Sequence, residues 1–503
     1  MSGDVEAVRD PSAGNPAHES RLGRLLSFPV VIAAAFATLI YRLAPTSVVD
    51  PDIWWHLRNA EYLFQTRRFI VKDSYSFTAL GAPWIDHEWL AEVPFYLGWH
   101  AMGERGVLLV TALLIEAVML GVFYLAYRRS GNIKATALVS VIAALFATIS
   151  FGPRTLLFGW LCLVVELIVL ERFRCGESGG RTIWALPPLF ALWANLHGSW
   201  LIGMVVLLVF ITCGSVRVYA GAIENAAWTP AQLRRLIVAA CLSSGALFVN
   251  PYGWRLVAYP FNLAFHQQIN IAKVDEWRAL DLHSLRGRVF LLCLAALFLL
   301  QLVRQRRWAL YELAFLFIGV YSAMCYTRFL FLAAILAMPL MASGIPGFAP
   351  SLPPRSRPLF NALLLLALVP MAAVRPSASR DDRATALFPL QALPTLREFR
   401  PLGNVFNEYL WGGFLEWNAR QISVMIDPRA DIFEYNGTFS DYLDAVELRD
   451  TNEILKKYRI RYVLFERDTP LVSFLLQTPA WKVDYEDGTT VLLERTAGFG
   501  DGS

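Results

Sequence analysis

The feature that most constrains this chain is a series of apolar runs that recurs from Leu26 to Met371, each long enough to be considered as a membrane span. A bilayer core of roughly 30 Å requires about 20 consecutive residues of α-helix. Of the 503 residues, 56% are hydrophobic and only 17% are charged, which departs from the composition of soluble domains. The sequence therefore predicts an all-α polytopic membrane protein over most of its length.

Eleven apolar runs are candidates for transmembrane helices, and one further segment is ambiguous. The ambiguous segment, 88–103, is short for a span and contains Glu88, Glu92 and Pro94, so we expect it to lie along the membrane surface. The eleven candidates are 26–43, 106–126, 134–151, 155–171, 182–195, 198–214, 235–249, 288–304, 308–324, 328–345 and 357–373.

The distribution of arginine and lysine predicts the orientation of these spans. Short cytoplasmic connections of membrane proteins hold most of the positive charge. If the N-terminus is cytoplasmic, the clusters that fall on that side are Arg128, Arg129 and Lys134; Arg172 and Arg174; Arg217, Arg234 and Arg235; Arg304, Arg306 and Arg307; and Arg355 and Arg357. The loop 44–105 and the C-terminal region then lie on the opposite, extracytoplasmic side.

Both ends of the chain differ from the apolar middle, 26–375. Residues 1–25 are polar and predict a disordered cytoplasmic tail. The C-terminal segment, 376–503, contains strand-like runs at 422–426 and 462–465, a helical turn at 452–457, and alternation at 481–494 around an Asp-Gly turn signal. These signals predict a small, soluble α/β domain on the extracytoplasmic side.

Charge and cysteine content exclude several classes of function. The net charge is only +4, and the arginines are scattered between apolar runs, so we expect no binding to nucleic acid. The six cysteines lie in or beside the apolar runs, which argues against a disulfide framework and a cysteine-based metal site. Membrane lipids are the expected surroundings of the chain.

The most informative motif, DPDIWWH, lies directly after the first predicted span. Asp50 is placed to cap a helix that Pro51 opens. On that helix Asp52, His56 and Asn59 share one face, which we expect to face solvent, because residues three and four apart lie on the same side. The adjacent pair Trp54 and Trp55 is expected to anchor the helix at the membrane surface.

Two carboxylates beside an imidazole suit either proton abstraction or cation binding. Asp50, Asp52 and His56 are therefore candidate catalytic residues, with one of the aspartates acting as the base toward a hydroxyl group. The same three side chains could supply ligands to a divalent cation such as Mg²⁺ or Mn²⁺. A capping aspartate with an exposed aspartate and histidine explains the same spacing without any chemistry.

A second polar cluster, Asp86-His87-Glu88, precedes segment 88–103. Acids are favoured at a helix N-terminus by the helix dipole, so Asp86 is expected to be a cap. His87 and Glu88 are candidate substrate-binding residues, because three of the seven histidines, His56, His87 and His100, fall in this region.

Four further polar residues stand at the predicted outer mouths of the spans. Arg154 and Arg328 would lie where a lipid phosphate lies, and a planar guanidinium binds phosphate through two parallel hydrogen bonds. Arginines at helix ends also extend to the surface without binding anything. His197, in a tight turn between two spans, and Glu276, beside Trp277, are the other candidate substrate-binding residues.

These motifs give the chain a resemblance to a known family. It resembles the GT-C class of integral-membrane glycosyltransferases, which combine many spans, an acidic first outer loop and often a soluble outer domain. It looks closest to bacterial glycosyltransferase-like membrane proteins with D-x-D-x-W-W-H and H-E-W-L blocks. It lacks the WWDYG block of oligosaccharyltransferases and the Lys-Pro or His-Pro-Pro pair of the aminoarabinose and mannosyl transferases.

The resemblance implies an inverting transfer of a sugar from a polyprenyl-phosphate-linked donor to an acceptor on the outer face. Asp50 or Asp52 would deprotonate the acceptor, and Arg154 and Arg328 would hold the phosphate.

Two alternatives remain open at the level of the sequence. In a transporter or flippase of a lipid-linked substrate, Glu116 and Glu166, near the middle of their spans, would relay protons. A non-catalytic membrane scaffold would only present the C-terminal domain. Polar residues gathered at one face favour the transferase, whereas polar residues through the midplane favour the transporter.

Overall fold

The computed structural model describes residues 25–266, 269, 277–345, 357–373 and 387–496. The predicted N-terminal tail, apart from Leu25, and the predicted domain boundary near residue 376 lie outside the described residues. Within the described residues, every predicted span coincides with a helix, and segment 88–103 also forms a helix.

The membrane region contains fourteen helices within the described residues. They are α1 Phe28–Leu43, α2 Asp52–Thr66, α3 Trp89–Met102, α4 Glu104–Ser130, α5 Ile133–Ala147, α6 Leu156–Arg174, α7 Leu186–Leu196, α8 Trp200–Gly214, α9 Pro230–Ala246, α10 Trp254–His266, α11 Leu285–Arg304, α12 Leu310–Cys325, α13 Leu330–Gly344 and α14 Pro358–Ala373. A two-stranded hairpin, β1 Val218–Ala220 with β2 Ile223–Asn225, connects α8 to α9.

Length and hydropathy qualify four helical segments of the described residues as membrane-crossing: Glu104–Ser130, Ile133–Ser150, Leu285–Arg304 and Thr327–Gly344. Helices α1, α8, α12 and α14 are apolar but shorter. The chain is therefore a membrane protein, but the predicted number of eleven spans is not confirmed. The surface position predicted for α3 also stays a prediction, since no membrane is represented in the structure.

The C-terminal segment folds as an α/β unit around a four-stranded sheet of order β3-β4-β6-β5. Strand β3 pairs in parallel with β4, and the other two pairings are antiparallel. The strands are β3 Asn404–Asn407, β4 Ile460–Glu466, β5 Trp481–Glu486 and β6 Thr490–Arg495. The helices are α15 Leu393–Glu398, α16 Gly412–Asn418, α17 Ala430–Tyr435, α18 Thr438–Val446, α19 Thr451–Lys457 and α20 Pro470–Leu476.

Most of the local predictions for this unit are confirmed. The hairpin between β5 and β6 turns at Asp487, whose carboxylate accepts the amides of Thr489 and Thr490, each at 2.8 Å. The strand predicted at 422–426 is wrong, because within it only Val424 pairs, through an isolated bridge to Ser76 in the outer loop. The apolar residues that suggested a strand are buried instead between the sheet and the outer loop.

The outer loop 44–105 packs directly on the C-terminal unit. The amide of Phe77 donates to the Val424 carbonyl at 3.0 Å. Gly413 of α16 allows the unit to approach the start of α2, since a side chain there would lie 3.2 Å from the Trp55 amide nitrogen.

Trp54 and Trp55 are therefore not the membrane anchors that the sequence predicted. Both are buried, with 7% and 5% of their surface exposed. The Trp54 ring lies edge-on to Trp99, Phe388 and Phe414, with centroids 5.3–5.8 Å apart. Each such contact contributes about 0.5–1.5 kcal/mol beyond burial, so the pair fastens the outer loop to the C-terminal unit.

Candidate functional site

A cavity of about 920 Å³ lies where the outer loop, the ends of several bundle helices and the C-terminal unit meet. One wall is apolar and is built by the bundle, with Leu156, Leu201, Ile202, Pro260, Leu263 and Phe329. The opposite wall belongs to the C-terminal unit and carries Glu408, Tyr409, Arg429, Asp431, Phe439 and Tyr442. The residues between them include Asp52, His56, His87, Glu88, Arg154, His197 and Arg328. A volume of this size accommodates a small organic ligand.

Asp50 and Asp52 lie at one edge of this cavity, at the start of α2. The helix begins at Asp52, and its N-cap residue is Pro51, so the prediction that Asp50 is the cap and Pro51 the first helical residue is wrong by one position. The Asp52 amide donates to the Asp50 carboxylate at 3.1 Å. The other carboxylate oxygen of Asp50 is 2.5 Å from Nε of Arg154. Asp50, 5% exposed, thus orients both the first turn of α2 and a guanidinium, while the half-buried Asp52 lines the cavity.

The expectation that His56 and Asn59 face solvent is wrong. His56 is 2% exposed and Asn59 is 1% exposed, because α3 covers this face of α2. Both side chains contact the same atom, Oε1 of Glu92, with distances of 2.8 Å from His56 Nδ1 and 3.2 Å from Asn59 Nδ2. The face that looks amphipathic in the sequence is therefore a buried polar contact between two helices.

Three histidines converge on one carboxylate, that of Glu88. Its Oε1 is 3.2 Å from His197 Nε2 and 3.5 Å from His87 Nε2. Its Oε2 is 3.6 Å from His56 Nε2 and accepts the Thr155 hydroxyl at 2.8 Å. The structure thus brings together His87, Glu88 and His197, which the sequence predicted separately, and links them to His56.

Burial and charge divide these groups into charged and neutral members. Burial alone would raise the pKa of Glu88, but the neighbouring histidines, His87 above all, lower it below its usual range. Burial would lower the pKa of His87, but the Glu88 carboxylate raises it. Burial dominates at the other two histidines and lowers the pKa of His56 to about 3 and that of His197 to about 4. Among the three histidines, His87 is thus the one that the Glu88 carboxylate favours as the protonated partner.

The neutral state of His197 agrees with its hydrogen bonds. Its Nδ1 accepts the Ser199 amide at 2.9 Å, so Nε2 carries the proton and faces Glu88. Gly159 of α6 makes room for this turn, since a side chain there would meet the Ser199 hydroxyl. His197 is both the turn residue and a cavity residue that the sequence suggested.

A pair of carboxyl groups, those of Asp86 and Glu92, lies beside the histidine cluster, and Glu92 contacts His56. Burial, and then the neighbouring Asp86, raise the pKa of Glu92 well above its usual range. Burial raises the pKa of Asp86 to about 6, against the hydrogen bond that it shares with Glu92. The capping role predicted for Asp86 is wrong, because the N-cap residue of α3 is Glu88; the Asp86 carboxylate accepts the Glu88 amide at 3.4 Å, just before the helix. Glu92 was not among the predicted site residues, although its position one helical turn after Glu88 places it on the same face.

Of the two remaining predicted residues, Arg328 lines the cavity and Glu276 falls in a part of the chain that the structure does not describe. The Arg328 guanidinium stacks over the Trp277 ring, 4.3 Å from its centroid. Glu276 lies outside the described residues, so its predicted contact with substrate stays a prediction.

Several cavity residues come from parts of the chain that sequence reasoning did not select. The His87 ring stacks on Tyr259 at 3.9 Å, and the Tyr259 hydroxyl donates to Asp431 at 3.1 Å. Asp431 also accepts Nε1 of Trp84, at 3.1 Å. Asp431 lies 347 residues after Trp84, and no spacing rule predicts contact over such a distance.

The predicted cation site is not formed. No group of three or more His, Cys, Asp or Glu side chains within the described ranges is arranged to hold a metal ion. Of the expected ligands, Asp50 is paired with Arg154, and Nδ1 of His56 is directed at Glu92 rather than at the aspartates. In the part of the chain that the structure describes, the three predicted side chains therefore do not form a cation site.

Two solved membrane transferases share this fold. ArnT from Cupriavidus metallidurans in the apo state has a TM-score of 0.54 at 15% identity, over 94% of this chain and 99% of ArnT. ArnT bound to undecaprenyl phosphate has a TM-score of 0.53 at 14% identity, over 96% of this chain and 100% of ArnT. The oligosaccharyltransferase of Archaeoglobus fulgidus, tethered with an acceptor peptide, has a TM-score of 0.53 at 13% identity, over 92% of this chain and 74% of that chain.

The chain has a GT-C fold. The resemblance predicted from the sequence is thus confirmed at the level of the fold, since identities this low establish nothing finer. No protein-family model matches the sequence, and no curated protein matches it either. The closer likeness to bacterial proteins with the D-x-D-x-W-W-H block stays a prediction.

The protonation states of the histidine cluster predict how stability depends on pH. Because the pKa values of His56 and His197 are lower in the folded protein, the unfolded chain binds more protons below its histidine pKa of about 6.5. The contribution of these two histidines to the free energy of unfolding is therefore fully present above about pH 6.5. It is lost as the pH falls from there toward their pKa values in the folded protein. Each histidine contributes a slope of about 1.4 kcal/mol per pH unit within this window.

Denaturant titrations of the detergent-solubilised protein at about pH 5 and about pH 7 would measure this slope. His56→Gln should flatten the dependence by the share of one histidine. His283→Gln is the matched control, because His283 is exposed and outside the cluster, and its slope should equal that of the wild type. Equal slopes in all three proteins would contradict the neutral state assigned to His56.

Proposed function

We propose that this protein is a membrane glycosyltransferase that uses a polyprenyl-phosphate-linked sugar as donor. The observation that carries the proposal is the cavity, in which Asp52 and the guanidiniums of Arg154 and Arg328 share a space with an apolar wall of bundle helices. A carboxylate suits proton abstraction from a hydroxyl group, arginine suits a phosphate, and an apolar wall suits a lipid chain. ArnT, which has the same fold, has been solved bound to undecaprenyl phosphate.

In the proposed reaction, Asp52 accepts the proton of the acceptor hydroxyl as its oxygen attacks the anomeric carbon of the sugar. The bond between that carbon and the phosphate oxygen breaks, and polyprenyl phosphate leaves with the bonding electrons. Arg154 and Arg328 stabilise the charge that develops on the phosphate. Attack opposite the leaving group inverts the anomeric centre. Asp50 acts as a positioning residue, because it holds both Arg154 and the amide of Asp52.

The alternative of a proton-coupled transporter receives less support. Glu166 of α6 is fully buried, and neither of its carboxylate oxygens has a hydrogen-bond partner among the described residues. A side chain at Gly203 would meet both the Trp193 ring and the Glu166 carboxylate, so this carboxylate lies against an aromatic ring rather than in water. A relay requires such a chain, whereas the ionisable residues of the cavity gather at one end of the bundle.

Arginine-to-lysine substitutions test the role of the two guanidiniums. Arg328→Lys and Arg154→Lys should each raise the KM for the lipid-linked donor by about tenfold, because the charge remains while bidentate bonding to phosphate is lost. The measurement is the release of polyprenyl phosphate by purified protein, with radiolabelled sugar-linked donors and a membrane extract as the source of acceptor.

Arg255→Lys is the matched control, since Arg255 is an exposed residue of α10 one turn before the cavity residue Tyr259. It should leave the KM unchanged. A KM that is unchanged in both cavity variants, or raised equally in the control, would contradict phosphate binding at this place.

The location proposed for the protein is a bacterial inner membrane, with the C-terminal unit outside. A cysteine at Asp468, whose side chain is 94% exposed, should be labelled by an impermeant thiol reagent in intact cells. A cysteine at the exposed Lys134 should be labelled only after the membrane is opened. Both variants require a background in which the six native cysteines are replaced by alanine. The reverse pattern of labelling would overturn the orientation.

A further inference from the structure

A second cavity lies outside the site described above and is lined mainly by arginine. Its volume is about 420 Å³, and five guanidiniums line it, those of Arg128, Arg129, Arg174, Arg306 and Arg307. Helices α4, α6 and α13 end there, and α12 begins there. Nothing in the proposed transfer of a sugar uses these residues.

Helix α6 shows that the two cavities lie at opposite ends of the bundle. Thr155, just before the first residue of α6, lines the site cavity, and Arg174, its last residue, lines the second cavity. The 19 residues between extend about 28 Å at 1.5 Å per residue, which is close to the thickness of a bilayer core. Helix α13 repeats the pattern, with Phe329 at the site and Ser343 at the second cavity.

The ion pairs of the second cavity leave it with an excess of positive charge. Arg129 bridges Glu312 and Glu171 at 2.7 and 2.8 Å, and Arg306 also pairs with Glu312, at 3.0 Å. Arg172 lies outside the lining but shares Glu177 with Arg128, and Arg307 pairs with Glu224. Together with Arg174, which pairs with Glu171, the cluster contains six arginines and four glutamates. Each carboxylate already has a guanidinium partner, so the cluster has two cations more than it has anions.

The exposure of these side chains follows a gradient from the protein interior to water. The Arg129 side chain is 13% exposed, that of Arg306 is 20%, that of Arg174 is 40%, and that of Arg307 is 70%. A solvated cytoplasmic loop would expose all of its arginines. A cavity at the end of the bundle, with arginines that range from mostly buried to mostly exposed, suits the head group of a phospholipid.

We propose that this cavity binds the phosphate of an anionic phospholipid from the leaflet opposite the catalytic cavity. The planar guanidiniums would donate pairs of hydrogen bonds to the phosphate oxygens, and the acyl chains would follow the apolar ends of the helices into the bilayer. The phosphate would lie at the C-terminal ends of α6 and α13. Arg154 and Arg328 lie just before the N-terminal ends of the same two helices. This proposal stands independently of the donor assigned to the site.

The first test compares lipids on the full-length, wild-type protein in detergent. Phosphatidylglycerol should raise the melting temperature and should remain bound in native mass spectra, because a ligand that binds only the folded state stabilises it. Phosphatidylcholine and inorganic phosphate at equal concentration should do neither. Equal effects of the two lipids would overturn the proposal. Equal effects of inorganic phosphate and phosphatidylglycerol would also overturn it, in favour of a site for free phosphate.

The second test removes two of the more exposed arginines of the cavity. Arg174→Gln combined with Arg307→Gln should weaken phosphatidylglycerol binding by about 30-fold, at the usual contribution of a basic residue near an anionic lipid. The matched control is Lys134→Gln with Arg181→Gln, which removes two exposed charges near the same end of the bundle but outside the cavity. An equal loss in both double variants would show that general surface charge, rather than the cavity, binds the lipid.

Discussion

Asp52→Asn is expected to lower the rate of sugar transfer by about 10² or more, the usual effect of removing a general base. Asparagine has the same shape as aspartate but cannot accept a proton at neutral pH. Because Asp52 is half-buried at the edge of the cavity, the variant should fold and insert normally. The assay is the release of polyprenyl phosphate, measured with the donor at saturation so that the effect on kcat is isolated.

Asp50→Asn separates two roles that the sequence left open. As a cap alone, asparagine would replace aspartate with little effect, because both cap helices well. The structure adds an ion pair with Arg154, so the variant should also raise the KM for the donor by weakening the position of that guanidinium.

Asp468→Asn, on the exposed surface of the C-terminal unit, is the control for both variants and should be silent. Full activity of Asp50→Asn and Asp52→Asn, together with an inactive Glu166→Gln, would instead favour the transporter.

Arg429→Met is expected to destabilise the protein by about 3–5 kcal/mol, the usual cost of leaving buried charges without their partner. The Arg429 side chain is 1% exposed and pairs with Asp427 at 2.6 Å and with Asp73 at 2.8 Å. It also stacks near Trp84 and Tyr75, with distances of 4.9 and 5.1 Å to the ring centroids. Asp73 belongs to the outer loop and Asp427 to the C-terminal unit, so this arginine joins the outer loop to the C-terminal unit.

Equilibrium unfolding followed by tryptophan fluorescence would measure this loss. Arg449→Met is the matched control in the same unit, because Arg449 is 58% exposed and pairs with Asp444 and Glu447 on the surface. It should cost less than about 1 kcal/mol, since water screens exposed ion pairs. Comparable losses in the two variants would contradict the role assigned to Arg429.

A third carboxyl group, that of Glu416, belongs to the buried network around Arg429. Glu416, 4% exposed, lies 3.7 Å from the same guanidinium, and burial raises its pKa well above the usual range. Two aspartates thus pair with Arg429, and beside them Glu416 holds its proton more tightly than an ordinary glutamate. A buried network of this kind is stable only when its members are all present, so the outer loop and the C-terminal unit are expected to unfold together.

Much of the membrane region was predictable from the sequence. Each predicted span coincides with a helix, because a chain in a bilayer must satisfy its backbone hydrogen bonds within the segment. Segment 88–103 contains one continuous helix, Trp89–Met102, with Pro94 inside it, and its position on the membrane surface stays a prediction. The hairpin at Asp487 was predictable for a similar reason, since its turn depends on residues adjacent in the chain.

The candidate site was predictable only in part. Asp52 was selected for its place in the DPDIWWH motif, and Arg154, His197 and Arg328 for their places at the predicted outer mouths of the spans. All four line one cavity. The prediction that the polar face of α2 contacts water was wrong, because that face is buried. The alternation of polar and apolar residues along the helix had suggested a solvated surface. A polar face that is covered by the polar face of another helix has the same periodicity as a solvated one.

By itself, the sequence determined that this chain is a membrane protein, the positions of its helices along the chain, and the loop that carries the acidic motif. Those properties depend on hydropathy and on spacings within one helix. Only the tertiary structure decided that Glu88 gathers three histidines, that Asp50 holds Arg154, and that a C-terminal unit with Asp431 and Arg429 closes the cavity. These contacts join residues up to several hundred positions apart, and they depend on how whole elements pack, which no local pattern encodes.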